Sequence, residues 1–248
     1  MSYALYIIFG ILPSFVWLLF YLRKDVHPES NKTILIVFLL GMLIAPLVAF
    51  LECIPIGFDD MGRLNCFFSS FCSKVFSHPL DSLLYFVLIV GLIEEVAKYL
   101  VVKFKILKHH ELDEPTDLML YMIIAALGFA AVENILILFQ QGNNFILANT
   151  LSASFFRFLG ATFLHTLCSG TIGFFIAMSF CETKNRKWLF SLGIGAAVLL
   201  HGLYNFYIME GKGGLNFLIP LIIICGLAVF VSLGFRKLRK LASVCKIS

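Results

Sequence analysis

The sequence predicts an all-α integral membrane protein of about seven transmembrane helices, with an outside N-terminus and a cytoplasmic C-terminus. Three observations carry that expectation. Of the 248 residues 60% are hydrophobic and only 14% charged, against about 25% charged in soluble domains. Apolar runs long enough to cross about 30 Å of hydrocarbon, roughly 20 helical residues each, recur along the whole chain. The basic residues are divided unequally between the two sets of connections.

The apolar runs lie at roughly residues 3 to 22, 33 to 55, 80 to 102, 117 to 140, 150 to 180, 188 to 209 and 214 to 235. The longest connection, Ile56 to Pro79, is rich in Phe and Ser and too short for a core of its own. A single polytopic membrane domain over 1–248 is therefore expected. The first run has no Lys or Arg before Arg23 and no small-residue cleavage site, so it reads as a retained span instead of a signal peptide.

Lys and Arg in short connections concentrate on the cytoplasmic side. The connections after spans one, three, five and seven carry Arg23, Lys24 and Lys32; Lys103, Lys105 and Lys108; Lys184, Arg186 and Lys187; and Arg236, Lys237, Arg239, Lys240 and Lys246. The other side has only Arg63, Lys74 and Lys212. The basic tail after Gly234 suits anionic lipid headgroups, and a net charge of +4 calls for no nucleic acid.

The seven cysteines form no CxxC pair, which argues against a zinc knuckle or a thioredoxin-like motif. Cys168 and Cys225 fall within spans as small packing residues. Cys53, Cys66 and Cys72 cluster at the outer face, where a disulfide could form in an oxidising compartment. Asn31-Lys32-Thr33 fits a glycosylation acceptor but falls on the cytoplasmic side, which discounts it.

The two remaining basic residues, Lys98 and Arg157, lie inside spans, together with Glu94, Glu95, Glu133, His165 and His201. An ionisable side chain at the helix centre costs roughly 2.5–3.5 kcal/mol on insertion scales, so each is a functional-site candidate. Glu94 and Lys98 are i and i+4 on one face, while Glu95 is rotated about 100° toward a neighbouring helix, leaving one carboxylate free for chemistry. Glu133 lies near the middle of span four, beside small residues from Ala125 to Ala131 that permit close helix approach.

Arg157, Ala161, His165, Ser169 and Gly173 make a polar and small stripe at i+4 spacing on span five. Arg157 suits either a snorkelling headgroup anchor or a partner for a site glutamate. On span six His201 and Asn205 share a face, and Gly195, Ala196 and Ala197 allow close packing. Counted at about 1.5 Å per residue, Glu94, Glu133, His165 and His201 fall within roughly two turns of the midplane. Four helices should therefore converge on one polar centre. That set suits a carboxylate deprotonating water with His and Asn donors for the oxyanion, or a zinc held by His and Glu.

Glu94-Glu95-x-x-Lys98, Phe129-x-x-x-Glu133-Asn134, His165-x-x-x-Ser169 and His201-x-x-x-Asn205, in order on four successive spans, resemble the motif set of PrsW-type membrane-embedded proteases. The match covers roughly residues 90 to 210; residues 1 to 80 carry no matching motif. The resemblance implies an endopeptidase of the bacterial plasma membrane that makes the first cut in a single-span, membrane-anchored anti-sigma factor, near the outer face. It also implies a distant relation to CAAX-type prenyl-protein proteases and bacteriocin-immunity proteins. Those usually show Glu-Glu-x-x-x-Arg and Phe-x-x-x-His; here position 99 is Tyr and position 133 is Glu, as in the PrsW branch.

By that analogy Glu94 or Glu95 is the general base, and Glu133 positions the water or binds a metal. His165 and His201 are oxyanion donors or ligands, and Lys98 tunes the pair. Asn134, Arg157, Ser169 and Asn205 support. The sequence does not choose between no cofactor and zinc, for which Glu133, His165 and His201 are the candidate ligands. Two rival readings are a proton- or ion-coupled transporter, which such residues could also serve but for which no inverted repeat is visible, and a non-enzymatic membrane partner or immunity protein.

Overall fold

The computed structural model describes residues 2–24, 27–53, 78–107, 112–139 and 146–241. These form helices α1 (Ser2–Leu22), α2 (Asn31–Cys53), α3 (Pro79–Leu84), α4 (Leu92–Lys105), α5 (Pro115–Phe139), α6 (Leu147–Leu159), α7 (Ala161–Cys181), α8 (Arg186–Glu210) and α9 (Leu215–Leu241). A π-helical segment, Tyr85–Gly91, joins α3 to α4 without a break in the rod, and a 3-10 turn, Thr183–Asn185, precedes α8. No strand occurs among the described residues. The disulfide considered among Cys53, Cys66 and Cys72 falls outside the described residues.

Among the described residues six helical stretches are long and apolar enough to cross a bilayer: Tyr3–Leu22, Asn31–Glu52, Pro115–Phe139, Leu147–Cys181, Arg186–Glu210 and Leu215–Leu241. The third expected span, now α3 through α4, is the one that carries Glu94, Glu95 and Lys98, which dilute its hydropathy. The outward faces read as a lipid contact. Leu35, Leu39, Leu43 and Leu47 recur every fourth residue on α2 and are all exposed, as are Leu218, Leu221 and Ile222 on α9. In a chain surrounded by water such ladders would be an aggregation hazard; in hydrocarbon they cost nothing.

Helix α5 is the hub. Leu118 through Leu127 are essentially inaccessible, because α1, α2, α7 and α9 all pack around it. Backbone contact replaces side-chain packing where α2 crosses α5. A Cβ on Gly128 would stand 2.0 Å from the Phe38 carbonyl oxygen, and one on Gly41 2.2 Å from that of Ala125. On the far side α8 is drawn equally close to the π-helical segment, a Cβ on Gly202 meeting Val87 Cα at 2.5 Å. Gly202 and Gly91, rather than the expected Gly195, make this approach. Gly195 lies on an open face with nothing within 4 Å of an added Cβ.

Expected span five is two helices. The chain breaks at Gly160, whose φ of −101° and ψ of −99° end α6 and start α7. Tyr204 of α8 fills the space where a side chain would sit, its hydroxyl 2.5 Å from an added Cβ. Helix α6 thus has its own direction, with Thr150 and Ser154 turned inward and Leu147, Leu151, Phe155 and Phe156 outward. Ser30 caps α2 by accepting the Thr33 N–H at 3.2 Å. Cys168 is buried in the core as expected, whereas Cys225 faces outward on α9.

Candidate active site

The site is built where α4, α5, α7 and α8 converge. The ammonium of Lys98, completely buried, is its electrostatic centre. Nζ donates to Glu94 Oε2, Glu95 Oε1 and His165 Nδ1, each at 2.9 Å, and lies 4.4 Å from the centre of the Phe129 ring. Positions i+3 and i+4 are both neighbours on a helix, so one lysine reaches both glutamates. The expectation that one carboxylate would remain outside the pair is therefore corrected.

The two glutamates still differ. Glu95 is saturated: Oε1 also accepts from His201 Nδ1 at 2.9 Å, and Oε2 accepts from Ser169 Oγ at 2.9 Å. Among the described residues Glu94 has only Lys98 as a hydrogen-bond donor, and it lines a small cavity with Glu52, Phe129, Glu133, Leu136, Ala45 and Ala49.

Hydrogen-bond chemistry assigns both imidazoles. An ammonium only donates, so His165 Nδ1 accepts from Lys98, and Nε2–H donates to Glu133 Oε2 at 2.6 Å. A carboxylate only accepts, so His201 donates Nδ1–H to Glu95 and, when neutral, presents a lone pair on Nε2. That Nε2 is buried and has no partner. Each ring thus has one nitrogen held by a carboxylate and the other turned inward. A metal-bound histidine is oriented in this way.

One ligand atom from each of Glu94, Glu95, His165 and His201 lies within 4.8 Å of the others. Glu94 Oε2 is 3.4 Å from His165 Nδ1 and 3.8 Å from His201 Nε2. Two ligands on a tetrahedral zinc with bonds of about 2.0–2.1 Å stand roughly 3.3 Å apart, so the separations suit a zinc ion, which would have to take Glu94 Oε2 and His165 Nδ1 from the Lys98 ammonium. Glu133, named from the sequence as a metal candidate, is outside this group and accepts instead from His165 Nε2.

The supporting residues separate by position. Arg157 Nη2 stands 2.9 Å from Glu133 Oε1 in an ion pair that is largely buried. Its Nε donates to Asn134 Oδ1. Asn134 Nδ2 in turn donates to Thr162 Oγ1 at 3.0 Å and the Gly10 carbonyl at 3.2 Å, tying α1, α5, α6 and α7 together. Arg157 is therefore a partner of a site glutamate and not a headgroup anchor. No hydrogen bond joins Asn205 to the cluster among the described residues; it is half-buried one turn beyond His201.

Depth along the helices is uneven. Glu133 is six residues from the end of α5 and His165 is the fifth residue of α7, so the centre lies toward the ends of α2 and α5 and the starts of α4 and α7, with His201 near the middle of α8. Sequence reasoning passed over Glu52. It is the penultimate residue of α2, where a carboxylate reads as an interfacial group, and its only signal was a lone acid inside a 33-to-55 apolar run. In the fold it is 2% exposed, and its Oε1 has no partner.

A helical bundle with lipid-facing outer surfaces and buried glutamates and histidines gathered from four helices defines a polytopic membrane protein with a hydrolase-like centre. The family model of the PrsW family intramembrane metalloprotease matches residues 29–233. The chain belongs to that family and is a multi-pass membrane protease. It is 27% identical to Protease PrsW of Bacillus subtilis (strain 168) over 238 residues, 95% of this chain and 94% of that protein. It is also 27% identical to Protease PrsW of Geobacillus kaustophilus (strain HTA426), over 81% of this chain and 78% of that protein. Identity to Protease PrsW of Clostridioides difficile (strain 630) is 29%, over 55% and 57%. No solved structure gives a significant match.

Proposed function

We propose that this protease hydrolyses a peptide bond in a single-span membrane protein of the anti-sigma factor class, close to the outer face of the bacterial plasma membrane. The observation that carries the chemistry is the inward lone pair of His201 Nε2, buried without a partner 3.8 Å from Glu94 Oε2. An orphaned buried acceptor is costly and argues for a ligand. Glu94, His165 and His201 would hold a zinc ion, with Glu95 and Glu133 fixing the two imidazoles from behind. Such an ion, when bound, supplies Lewis-acid polarisation of the scissile carbonyl and a more acidic water.

The residues of the chain do the rest. Glu94 would give Oε2 to that ion, and its other oxygen, Oε1, would take a proton from the attacking water. Lys98 holds Glu94 and Glu95 in register and keeps two buried carboxylates from repelling each other apart. The surrounding apolar side chains exclude bulk water and strengthen every charge interaction inside. Location supports the substrate side: the centre lies toward the ends of α2 and α5, which lead into the connections poor in Lys and Arg. By the charge rule these face outward.

Purified protein tested on a panel of single-span membrane peptides, with Glu94→Gln and Glu95→Gln beside it and with or without a strong zinc chelator, checks this reading. Cleavage by wild type that is lost in Glu94→Gln and on chelation is expected. Cleavage that survives chelation removes zinc, and cleavage that survives Glu94→Gln removes that residue from the reaction.

A further inference from the structure

We propose that the groove between α1, α9 and the α6–α7 junction binds one anionic phospholipid, an acyl chain lying in the groove and the phosphate at the basic residues of its mouth. The inference stands apart from the hydrolytic reading, since it uses none of the residues of the buried centre.

The groove is a cavity of about 350 Å³ lined by Trp17, Phe20, Tyr21, Phe163, Ala228 and Ser232, among others. Its rim is open, with Phe20 and Ser232 both exposed, and its floor is fixed. Trp17 stacks face to face on Phe163, ring centres 4.0 Å apart and planes 2° from parallel. The indole N–H donates to the Phe158 carbonyl oxygen at 2.9 Å, so its polar atom is already satisfied and the ring offers apolar surface. In a bilayer such a groove selects nothing by itself, because lipid chains are as apolar as the side chains they meet. Selection has to come from the headgroup.

Helical phase carries charge to the mouth from both walls. On α9, Ala228, Ser232, Arg236 and Lys240 follow one another at i+4 and share one face, with Arg239 beside Lys240. On α1, Phe20 is followed at i+4 by Lys24, just past the helix end, whose ammonium lies 4.9 Å from the centre of the Phe20 ring. The Arg239 guanidinium crosses between the walls and donates to the Lys24 carbonyl oxygen, and the Tyr21 and Phe235 rings, 6.0 Å apart, join the same two helices. Lys24, Arg236, Arg239 and Lys240 are all exposed. Among the described residues none of them has a carboxylate partner. Cations left without an anion of the protein, at one end of an apolar groove, match a lipid phosphate, and basic pockets between membrane helices hold anionic headgroups in this way. A zwitterionic lipid brings its own cation to the same residues and fits them less well.

Trp17 supplies the probe, since bromine on a lipid chain quenches an indole that the chain touches. The chain has two tryptophans, and Trp188 is exposed at the start of α8, so Trp188→Phe leaves the groove indole alone. The full-length Trp188→Phe protein is placed in vesicles of phosphatidylcholine and phosphatidylglycerol, with bromine on the chains of one lipid or the other. Brominated phosphatidylglycerol is expected to quench Trp17 at a mole fraction at least about tenfold below that needed of brominated phosphatidylcholine, the scale of two basic residues near a headgroup. Adding Lys24→Gln and Arg236→Gln should abolish that preference and leave Tm unchanged, because both side chains are exposed. Ala228→Leu, which fills the groove, should weaken quenching by both lipids. Equal quenching by the two lipids in the Trp188→Phe protein overturns the proposal. A preference that survives Lys24→Gln/Arg236→Gln does so too, since it marks the general attraction of a basic protein to an anionic surface. Quenching untouched by Ala228→Leu puts the chain elsewhere, and no quenching by either lipid shows that a protein segment covers the groove; each overturns the proposal as well.

Discussion

His165 donates Nε2–H to Glu133 Oε2 at 2.6 Å while its Nδ1 faces the interior of the site. Glu133 therefore acts on the centre through the imidazole and fixes which nitrogen is available. Outer carboxylates of this kind typically contribute 10- to 100-fold to metal affinity or activity. Glu133→Ala should lower both zinc affinity, read by competition with a chromophoric chelator, and kcat/KM by about that factor. Glu133→Gln, which keeps an acceptor oxygen, should lose less. Equal zinc affinity in all three proteins would show that His165 is not a ligand.

The same glutamate faces Arg157, and both side chains are about one-seventh exposed or less, at 13% and 15%. Removing one member of a buried pair costs roughly 3–5 kcal/mol because the other charge is left behind. Partial exposure places Arg157→Ala at the lower end, near about 3 kcal/mol, with an added loss from the freed Asn134. The double variant Arg157→Ala/Glu133→Gln should regain at least half of the lost stability in thermal unfolding. If the double variant is no more stable than the single, the pair is not what holds α6 against α5.

How much of this was legible in the sequence follows from what each feature depends on. Helices and spans rest on composition and local hydropathy, and α1, α2, α5 and α8 fall within about two residues of their expected limits, while α9 runs on past 235 to Leu241 through its basic turn. The residues that gather at the site were named because ionisable groups are out of place in a span. The break at Gly160 was not legible, since Arg157 to Gly173 keeps its i+4 stripe whether or not the helix is continuous; what packs against Gly160 is Tyr204, from another helix. Glu52 was missed because depth at a span end is ambiguous in one dimension. The sharing of Lys98 between two glutamates was missed because helical phase alone does not say where a four-carbon stem will reach.

Close backbone contact between α2 and α5 makes a sharp packing prediction. The Cβ of Gly128→Ala would lie 2.0 Å from the Phe38 carbonyl oxygen and 3.1 Å from the Met42 nitrogen, all backbone atoms that cannot rotate aside. Stability should fall by about 3 kcal/mol, the upper end for overpacking, as these helices separate. Gly195→Ala, with nothing within 4 Å, should be neutral or gain up to about 1 kcal/mol from helix propensity. Thermal unfolding of the two variants side by side checks the pair; equal effects would contradict the helix crossing.

The distribution of Lys and Arg predicts which side each connection faces. Lys184 and Lys212 flank α8 at opposite ends and are both exposed. In a chain whose native cysteines have been replaced, Lys212→Cys should react with a membrane-impermeant maleimide added to whole cells. Lys184→Cys should react only after the cells are opened. The reverse pattern would invert the topology and put the site nearer the cytoplasmic face, away from the proposed cut.

Lys98 bears on the question of the metal. Its ammonium lies 2.9 Å from Glu94 Oε2, Glu95 Oε1 and His165 Nδ1, and a zinc ion would also claim the first and the last, so cation and metal compete for two donors. Lys98→Met removes the competitor and leaves two buried carboxylates without a counter-charge. Without metal the variant should be less stable than wild type by about 3–5 kcal/mol, as for any broken buried pair. Added zinc should then stabilise it more than it stabilises wild type, since binding at a hundred times Kd contributes about 2.7 kcal/mol and the variant binds tighter. Tm measured with chelator and with excess zinc, in both proteins, reads this directly. A Tm that zinc moves in neither protein would mean that Glu94, His165 and His201 hold no metal and that the glutamate-activated water works alone.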